Sequence, residues 1–335
     1  MELRDVPMPE IKSSTDVLLK IAAVGVCGSD IHYYKTGKIG SQVVSYPFTV
    51  GHEGAGIVEK TGPAVKRLAP GVLVAIDPAI VCHKCDQCLS GRSHTCRNLR
   101  YLGCPGQADG CLSEYLVMPE ECCFPVDKGF SAELAALSEP LSIGYYAAKN
   151  ALPLKGANIA ILGCGPIGLS VMICARSIGA GRIFATDIIN ERLKVAKNNG
   201  ADWTGNPREH DIVEKISRQK PLLMDAVFEC CGDQEALDQA VELLKPGGKL
   251  MLVGIPETDR ISFVIDKIRR KEICIQNVRR QCDCLHPTLS LMEKGRLNAG
   301  FMITHRFGFD KTKEAFDLVA GYSDGVVKAM IDFQK

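Results

Sequence analysis

The sequence predicts an α/β protein in which a doubly wound parallel sheet domain joins a second, β-rich domain. Three observations lead there. From residue 157 short apolar strands alternate with helical stretches, the pattern of parallel strands linked by crossover helices. The first of those strands runs into Gly163-x-Gly165-x-x-Gly168 and then a helix. Residues 1–138 are instead richer in glycine, proline and β-branched runs, as an irregular β domain would be. A chain of 335 residues is long for one core, which also favours two domains.

The elements follow in order. NIAILG is an apolar strand, PIGLSVMICARSIGA a helix, and RIFATD a second strand ending on Asp187. That acid lies 19 positions after Gly168, where a dinucleotide fold expects a carboxylate for the ribose hydroxyls. Gly163, Gly165 and Gly168 permit the tight turn and let a pyrophosphate approach the helix N-terminus. ERLKVAKNNGAD supplies a helix and turn, DAVFECCG a strand, DQEALDQAVELLKPGG a helix closed by Pro246 and its glycines, and KLMLVGIP a strand. EICIQNV, residues 272–278, reads as the sixth strand. A helix starting near Glu139, EPLSIGYYAAKNAL, links this part to the first.

Composition narrows the function. The net charge is +1 with no basic run or stripe, which argues against nucleic acid or an anionic membrane as partner. MELRDVPMPE has acids and prolines where a secretory leader needs a basic start and an apolar stretch. Residues 156–175 carry no charge over 20 positions, but Gly163, Gly165, Pro166 and Gly168 divide them into strand and helix, so no membrane span is expected. The chain reads as soluble and cytoplasmic. In a reducing compartment, clustered cysteines favour a metal over disulfides.

Such a cluster occurs at CHKCDQCLSGRSHTC, residues 82–96. Tetrahedral zinc needs short loops that bring each sulfur back to one point, and Cys82, Cys85, Cys88 and Cys96 have that spacing. His83 or His94 could replace a thiol, and a reduced loop without metal is the other reading. Four protein ligands leave no position for substrate, so this zinc would be structural. A second set lies upstream, in VGVCGSDIHYY and VGHEGAGIV. Cys27, His52 and Glu53 offer one sulfur, one nitrogen and one oxygen, the three-ligand pattern of catalytic zinc. Each piece alone also fits a structural strand end. Ser29 and His32 strengthen the catalytic reading, because a hydroxyl and an imidazole there could relay a proton to solvent.

Taken together, these segments with EPLSIG, LGCGPIG, TDI, KPGG, LVGIP and THRF resemble the zinc-dependent medium-chain alcohol dehydrogenases, most closely the sorbitol, iditol and xylitol branch. The likeness runs along nearly the whole chain. It implies a GroES-like catalytic domain over 1–140 that takes back the tail 282–335, and a Rossmann domain over 141–281 that binds NAD. It implies catalytic zinc on Cys27, His52 and Glu53, a second zinc in the cysteine lobe, and Glu139 acting near the metal through a water. Tyr33 and Arg279 match substrate contacts. Ile167, Asp187 and Arg192 match cofactor contacts, as do Val253 and Ile255 near the nicotinamide. Many relatives are dimers or tetramers, so a homo-oligomer is implied.

Two departures stand out. Relatives usually carry a strand before a segment like ELRDVPMPE, and the branch commonly has Phe-Arg-Tyr where this chain has Val278, Arg279 and Arg280. Arg280 joins Arg279 as a candidate substrate contact. The expected activity is hydride transfer between a secondary alcohol of a neutral polyol and NAD, giving a ketose. An amino alcohol such as threonine, a phosphorylated polyol, and a nucleotide-binding protein without turnover are the alternatives. NAD rather than NADP follows from Asp187, whose charge opposes a 2′-phosphate.

Overall fold

The computed structural model describes residues 1–334. Its backbone divides into two compact units. One comprises Met1–Glu139, Leu285–Gly295 and Ile303–Lys335; the other comprises Pro140–Cys284 and Arg296–Met302.

The first unit is built on a seven-stranded sheet. Asp16–Gly25 is its central strand, pairing antiparallel with Glu53–Thr61 on one side. On the other side it pairs with Tyr115–Pro119 along its first half and with Lys328–Asp332 along its second. Leu73–Ile76 and Cys123–Pro125 extend the sheet beyond Glu53–Thr61, and Ile303–Gly308 flanks Lys328–Asp332 in parallel. Nine of the ten residues of Asp16–Gly25 are buried or half-buried, so alternation is replaced by an almost continuous apolar run. The core beneath it holds Val17, Leu19, Ile21, Val74, Ile76 and Met118.

The second unit is a six-stranded parallel sheet in the order Trp203–Gly205, Ile183–Thr186, Ile159–Leu162, Met224–Glu229, Leu244–Leu252, Cys274–Asn277. The order reverses at Ile159–Leu162, where a doubly wound sheet opens its ligand crevice. Pro166 begins the helix Pro166–Ser177 at a position whose missing N–H costs nothing. Gly163 has φ +100°, and a Cβ on Gly168 would lie 1.8 Å from the Gly163 carbonyl oxygen. Both positions require glycine.

Two boundaries differ from expectation. The linking helix spans Ala132–Ala151, starting seven residues before Glu139, near which its start is expected. Ser131 explains this: its hydroxyl accepts from the Leu134 N–H at 3.2 Å and its carbonyl from Ala135 at 3.0 Å, an N-cap upstream of Pro140. KPGG does not close the preceding helix but lies within the strand Leu244–Leu252. The helix Gln234–Leu243 is closed instead by Lys271, whose ammonium donates to the carbonyls of Val241, Glu242 and Leu244, each at 2.9 Å. A distant cation at a helix C-terminus cannot be read from local spacing.

Candidate metal and nucleotide sites

Cys27 is the N-cap residue of the helix Gly28–Thr36, with extended backbone that turns its sulfur inward. His52 follows Gly51, whose φ of +97° makes the bend, and Glu53 opens the strand Glu53–Thr61. One ligand atom from each of Cys27, His52 and Glu53 lies within 4.8 Å of the others. His52 and Glu53 are buried. A sulfur, an imidazole and a carboxylate converging this closely suit zinc.

The surroundings hold these ligands. Asp30, fully buried, presents Oδ1 3.4 Å from His52 Nδ1 and accepts from the Gly51 N–H at 3.3 Å and the Cys27 N–H at 3.4 Å. Burial works against a charged His52, but the Asp30 carboxylate and the Cys27 sulfur outweigh it and hold the imidazole well above its ordinary value. The field at the His52 imidazole therefore favours a cation. Lys328 is 1% exposed, and its ammonium donates to Glu53 Oε1 at 2.7 Å, Oε2 at 2.6 Å and the Val26 carbonyl at 3.0 Å. Burial would neutralise that lysine; Glu53 and then Cys27 more than offset it. A carboxylate has about four lone-pair sites, so Glu53 can serve Lys328 and a metal together. A Cβ on Gly25 would lie 2.3 Å from Glu53 Oε2, which explains the glycine.

Ser29 donates to Cys27 Sγ at 3.3 Å, and His32 sits half-buried one turn further along the same helix. Tyr33 is buried; its hydroxyl donates to Gln42 Oε1 at 3.4 Å and lies 3.8 Å from Cys104 Sγ. Glu139 is 3% exposed and accepts from the Tyr101 hydroxyl at 2.8 Å. Burial above all, with help from Glu53, pushes its carboxyl up to about 7 against the pull of His52, Tyr101 and Lys328. Burial and charge together thus give an acid that titrates near neutrality.

In the lobe, Cys82, Cys85, Cys88 and Cys96 also bring their sulfurs within 4.8 Å of one another. The separations are 3.6 Å between Cys85 and Cys88, 3.9 Å between Cys85 and Cys96, and 4.0 Å between Cys82 and Cys88, too long for any disulfide. The Cys82 and Asn98 N–H groups donate to Cys96 Sγ at 3.4 Å each. The Lys84 backbone, then Asn98, lower the Cys82 thiol to about 5. Such N–H donors stabilise thiolate, the form that binds zinc. His83 is turned away and pairs with Glu121 at 2.8 Å, and His94 is outside the ligand set, so the cysteines alone supply it.

In the second unit, Asp187 accepts from the Cys164 N–H through Oδ2 at 2.7 Å and from the Ile189 N–H through Oδ1 at 2.8 Å. It thereby ties the strand end to the glycine turn. Arg192 is buried, its Nη1 3.7 Å from where a Gly165 Cβ would sit, and Ile167 lies half-buried in the helix's first turn. Val253 is buried and Ile255 exposed beyond the strand Leu244–Leu252. Arg279 and Arg280 follow Cys274–Asn277, and Arg280 takes a positive φ of 59°.

Sequence reading missed Asp30, Lys328, Tyr101, Gln42, Cys104 and Glu229. Glu229, 2% exposed, accepts from the N–H groups of Cys231 at 2.7 Å and Gly232 at 2.6 Å, fixing the turn beside Gly163. Lys328 had a signal, being the lone charge in the apolar run GVVKAMI.

Residues 13–128 match the family model "Alcohol dehydrogenase GroES-like domain", and residues 166–294 match "Zinc-binding dehydrogenase". A sorbitol dehydrogenase of Bacillus subtilis is 33% identical over 332 residues, covering 99% of this chain and 94% of its own. An L-idonate 5-dehydrogenase of Vitis vinifera is 34% identical over 312 residues, 91% of this chain and 85% of its own. A solved Sinorhizobium meliloti 1021 structure, described as a zinc-binding dehydrogenase bound to NADP, superposes with TM-score 0.90 at 30% identity, covering 98% of this chain and 95% of that one. Fold and ligand sets define the class, a zinc- and nicotinamide-dependent oxidoreductase acting on CH–OH groups. More narrowly, the chain belongs to the zinc-dependent medium-chain polyol dehydrogenase family. Among the described residues no helix is long and apolar enough to cross a membrane.

Proposed function

We propose that the chain interconverts a secondary alcohol of a neutral sugar alcohol and the matching ketose, using NAD. One observation carries this reading: Cys27, His52 and Glu53 converge within 4.8 Å, and the charges of His52 and Glu53 act on a buried Glu139 that titrates near 7. The naming of relatives as sorbitol and L-idonate dehydrogenases supports the polyol class.

When bound, zinc on Cys27, His52 and Glu53 supplies a Lewis acid that eases loss of the alcohol proton, and the nicotinamide supplies the hydride acceptor. Asp30 faces His52 Nδ1 and leaves Nε2 for the metal. Lys328 fixes the Glu53 carboxylate. Ser29 accepts the hydrogen bond of the substrate hydroxyl and takes its proton as its own passes to His32, which hands it to solvent. Glu139 holds or releases a proton near neutral pH. Tyr33, Glu139, Arg279 and Arg280 are assigned to substrate hydroxyls. In the second unit, Gly163, Gly165 and Gly168 cradle the pyrophosphate, while Ile167, Arg192, Val253 and Ile255 line the cofactor. The Asp187 carboxylate selects NAD, since a 2′-phosphate would meet like charge. Cys82, Cys85, Cys88 and Cys96 hold a structural zinc. In this reading 1–140 and 282–335 form the catalytic domain and 141–281 the cofactor domain. A homo-oligomer in the cytoplasm completes it, supported by the edge position of the strand Cys274–Asn277 in its sheet and by the free thiols of the lobe.

The test is NADH production from sorbitol, xylitol, inositols, threonine and galactitol 1-phosphate, each with and without a chelator. A neutral polyol should win, and the chelator should abolish its turnover. Threonine or the phosphorylated polyol winning by more than about tenfold in kcat/KM, about 1.4 kcal/mol of transition-state binding, would overturn the substrate assignment.

A further inference from the structure

Residues 101–104, YLGC, touch both first-unit side chains assigned to substrate above. At one end the Tyr101 hydroxyl donates to Glu139 Oε1 at 2.8 Å, both residues being buried. At the other end Cys104 Sγ accepts from Gln42 Nε2 at 2.9 Å and lies 3.8 Å from the Tyr33 hydroxyl, which donates to Gln42 Oε1. Between them Gly103 has φ +61°, and a Cβ there would lie 2.9 Å from the Gly51 N and O atoms. The segment is therefore pressed against the backbone that delivers His52, and the Tyr101 ring lies 5.7 Å from the His52 ring. Its anchor is the short ladder of Ala79–Ile80 with Arg100–Tyr101, whose strands flank the cysteine lobe on either side.

A carboxylate that is 3% exposed has little water to orient it, so the Tyr101 phenol, donating at 2.8 Å, fixes where its Oε1 points. We propose that Tyr101 is a positioning residue of the polyol site: its hydroxyl aims Glu139 at a substrate hydroxyl, and the segment 101–104 links that acid to the Tyr33 and Gln42 wall. The proposal rests on the polyol reading. It adds a residue whose effect on substrate passes through Glu139, and it makes the neck of the cysteine lobe part of the specificity apparatus.

The test is a double-mutant cycle with Tyr101→Phe and Glu139→Ala. Sorbitol or xylitol, whichever the wild type oxidises, is titrated calorimetrically into the zinc-loaded enzyme carrying NADH, so no turnover is needed. Tyr101→Phe should weaken polyol binding about tenfold in the wild-type background, the scale of one hydrogen bond to a charged group. In the Glu139→Ala background it should change binding less than about twofold, because coupled residues are not additive. Two zinc ions and an unchanged melting temperature should accompany it. Equal losses in both backgrounds would overturn the proposal, and so would a Tyr101→Phe protein that unfolds or sheds zinc. A wild type that neither binds nor oxidises any polyol removes the functional reading itself, and is recognised without any variant.

Discussion

The cysteine lobe and the site around His52 gather metal ligands by opposite means. The lobe draws its four sulfurs from one stretch, with Cys82 and Cys96 only 14 positions apart. The mixed site joins Cys27 to His52 and Glu53, and its supports come from further still: Lys328 is 275 positions from Glu53, and Tyr101 is 38 from Glu139. A site closed by local spacing is largely independent of the rest of the fold. A site assembled from remote strands depends on the whole sheet, and its energetics lie in partners that surround the ligands.

Breaking each site should expose that contrast. The largest effect is expected at Cys27→Ala: activity should fall by about 10⁴-fold with zinc dropping from two to one per chain, while the protein stays folded. Metal analysis and circular dichroism read this, and two retained zincs would contradict it. Lys328→Met comes next. It strands a buried carboxylate, so the metal-free protein should lose about 3–5 kcal/mol. Added zinc should recover much of that, because the cation takes over the role of the ammonium. The zinc-induced rise in melting temperature should therefore be larger than in wild type. Cys85→Ala should remove the other zinc and cost about 2–4 kcal/mol of stability, leaving kcat of the folded fraction near wild type. A kcat loss as large as that of Cys27→Ala would erase the distinction between the sites.

The last effect is electrostatic. In zinc-free protein Glu139 titrates near 7, against an ordinary 4.5. Below about 4.5 both folded and unfolded chains keep the proton, and Glu139 imposes no penalty. As pH rises from there through about 7, only the unfolded chain gives up its proton readily, so folding loses stability. Glu139→Gln removes that slope, and wild type should fall behind the variant across this window by up to about 3 kcal/mol, at about 1.4 kcal/mol per pKa unit. Parallel denaturation curves from pH 4.5 to 7.5 would refute it.

What the sequence disclosed follows the same division. Cys82, Cys85, Cys88 and Cys96 declare themselves by spacing, and so does the glycine turn with Asp187, because one strand–turn–helix fixes their geometry. The start of the helix Ala132–Ala151 could have been read from Ser131, a hydroxyl in the N-cap position. Lys271 closing a helix 27 positions before it depends on tertiary approach that no local pattern encodes, and Lys328 stands out as a lone charge in an apolar run while its partner Glu53 is visible only in the fold. Tyr101 falls between these cases. An aromatic residue just past a cysteine lobe suggests packing, and only the fold brings its hydroxyl to Glu139.

The reach of Lys328 also has a consequence in time. Its bond to the Val26 carbonyl spans 302 positions, which at synthesis rates of about 5–20 residues per second is about 15–60 s of translation. The lobe's 14 positions take about 1–3 s at the same rates. The nascent chain therefore has all four thiols of its lobe long before the lysine that steadies Glu53 exists. For about 14–55 s after Glu53 is made its counter-ion does not exist, a period in which a chaperone or a prematurely captured metal would meet the first strands half-made.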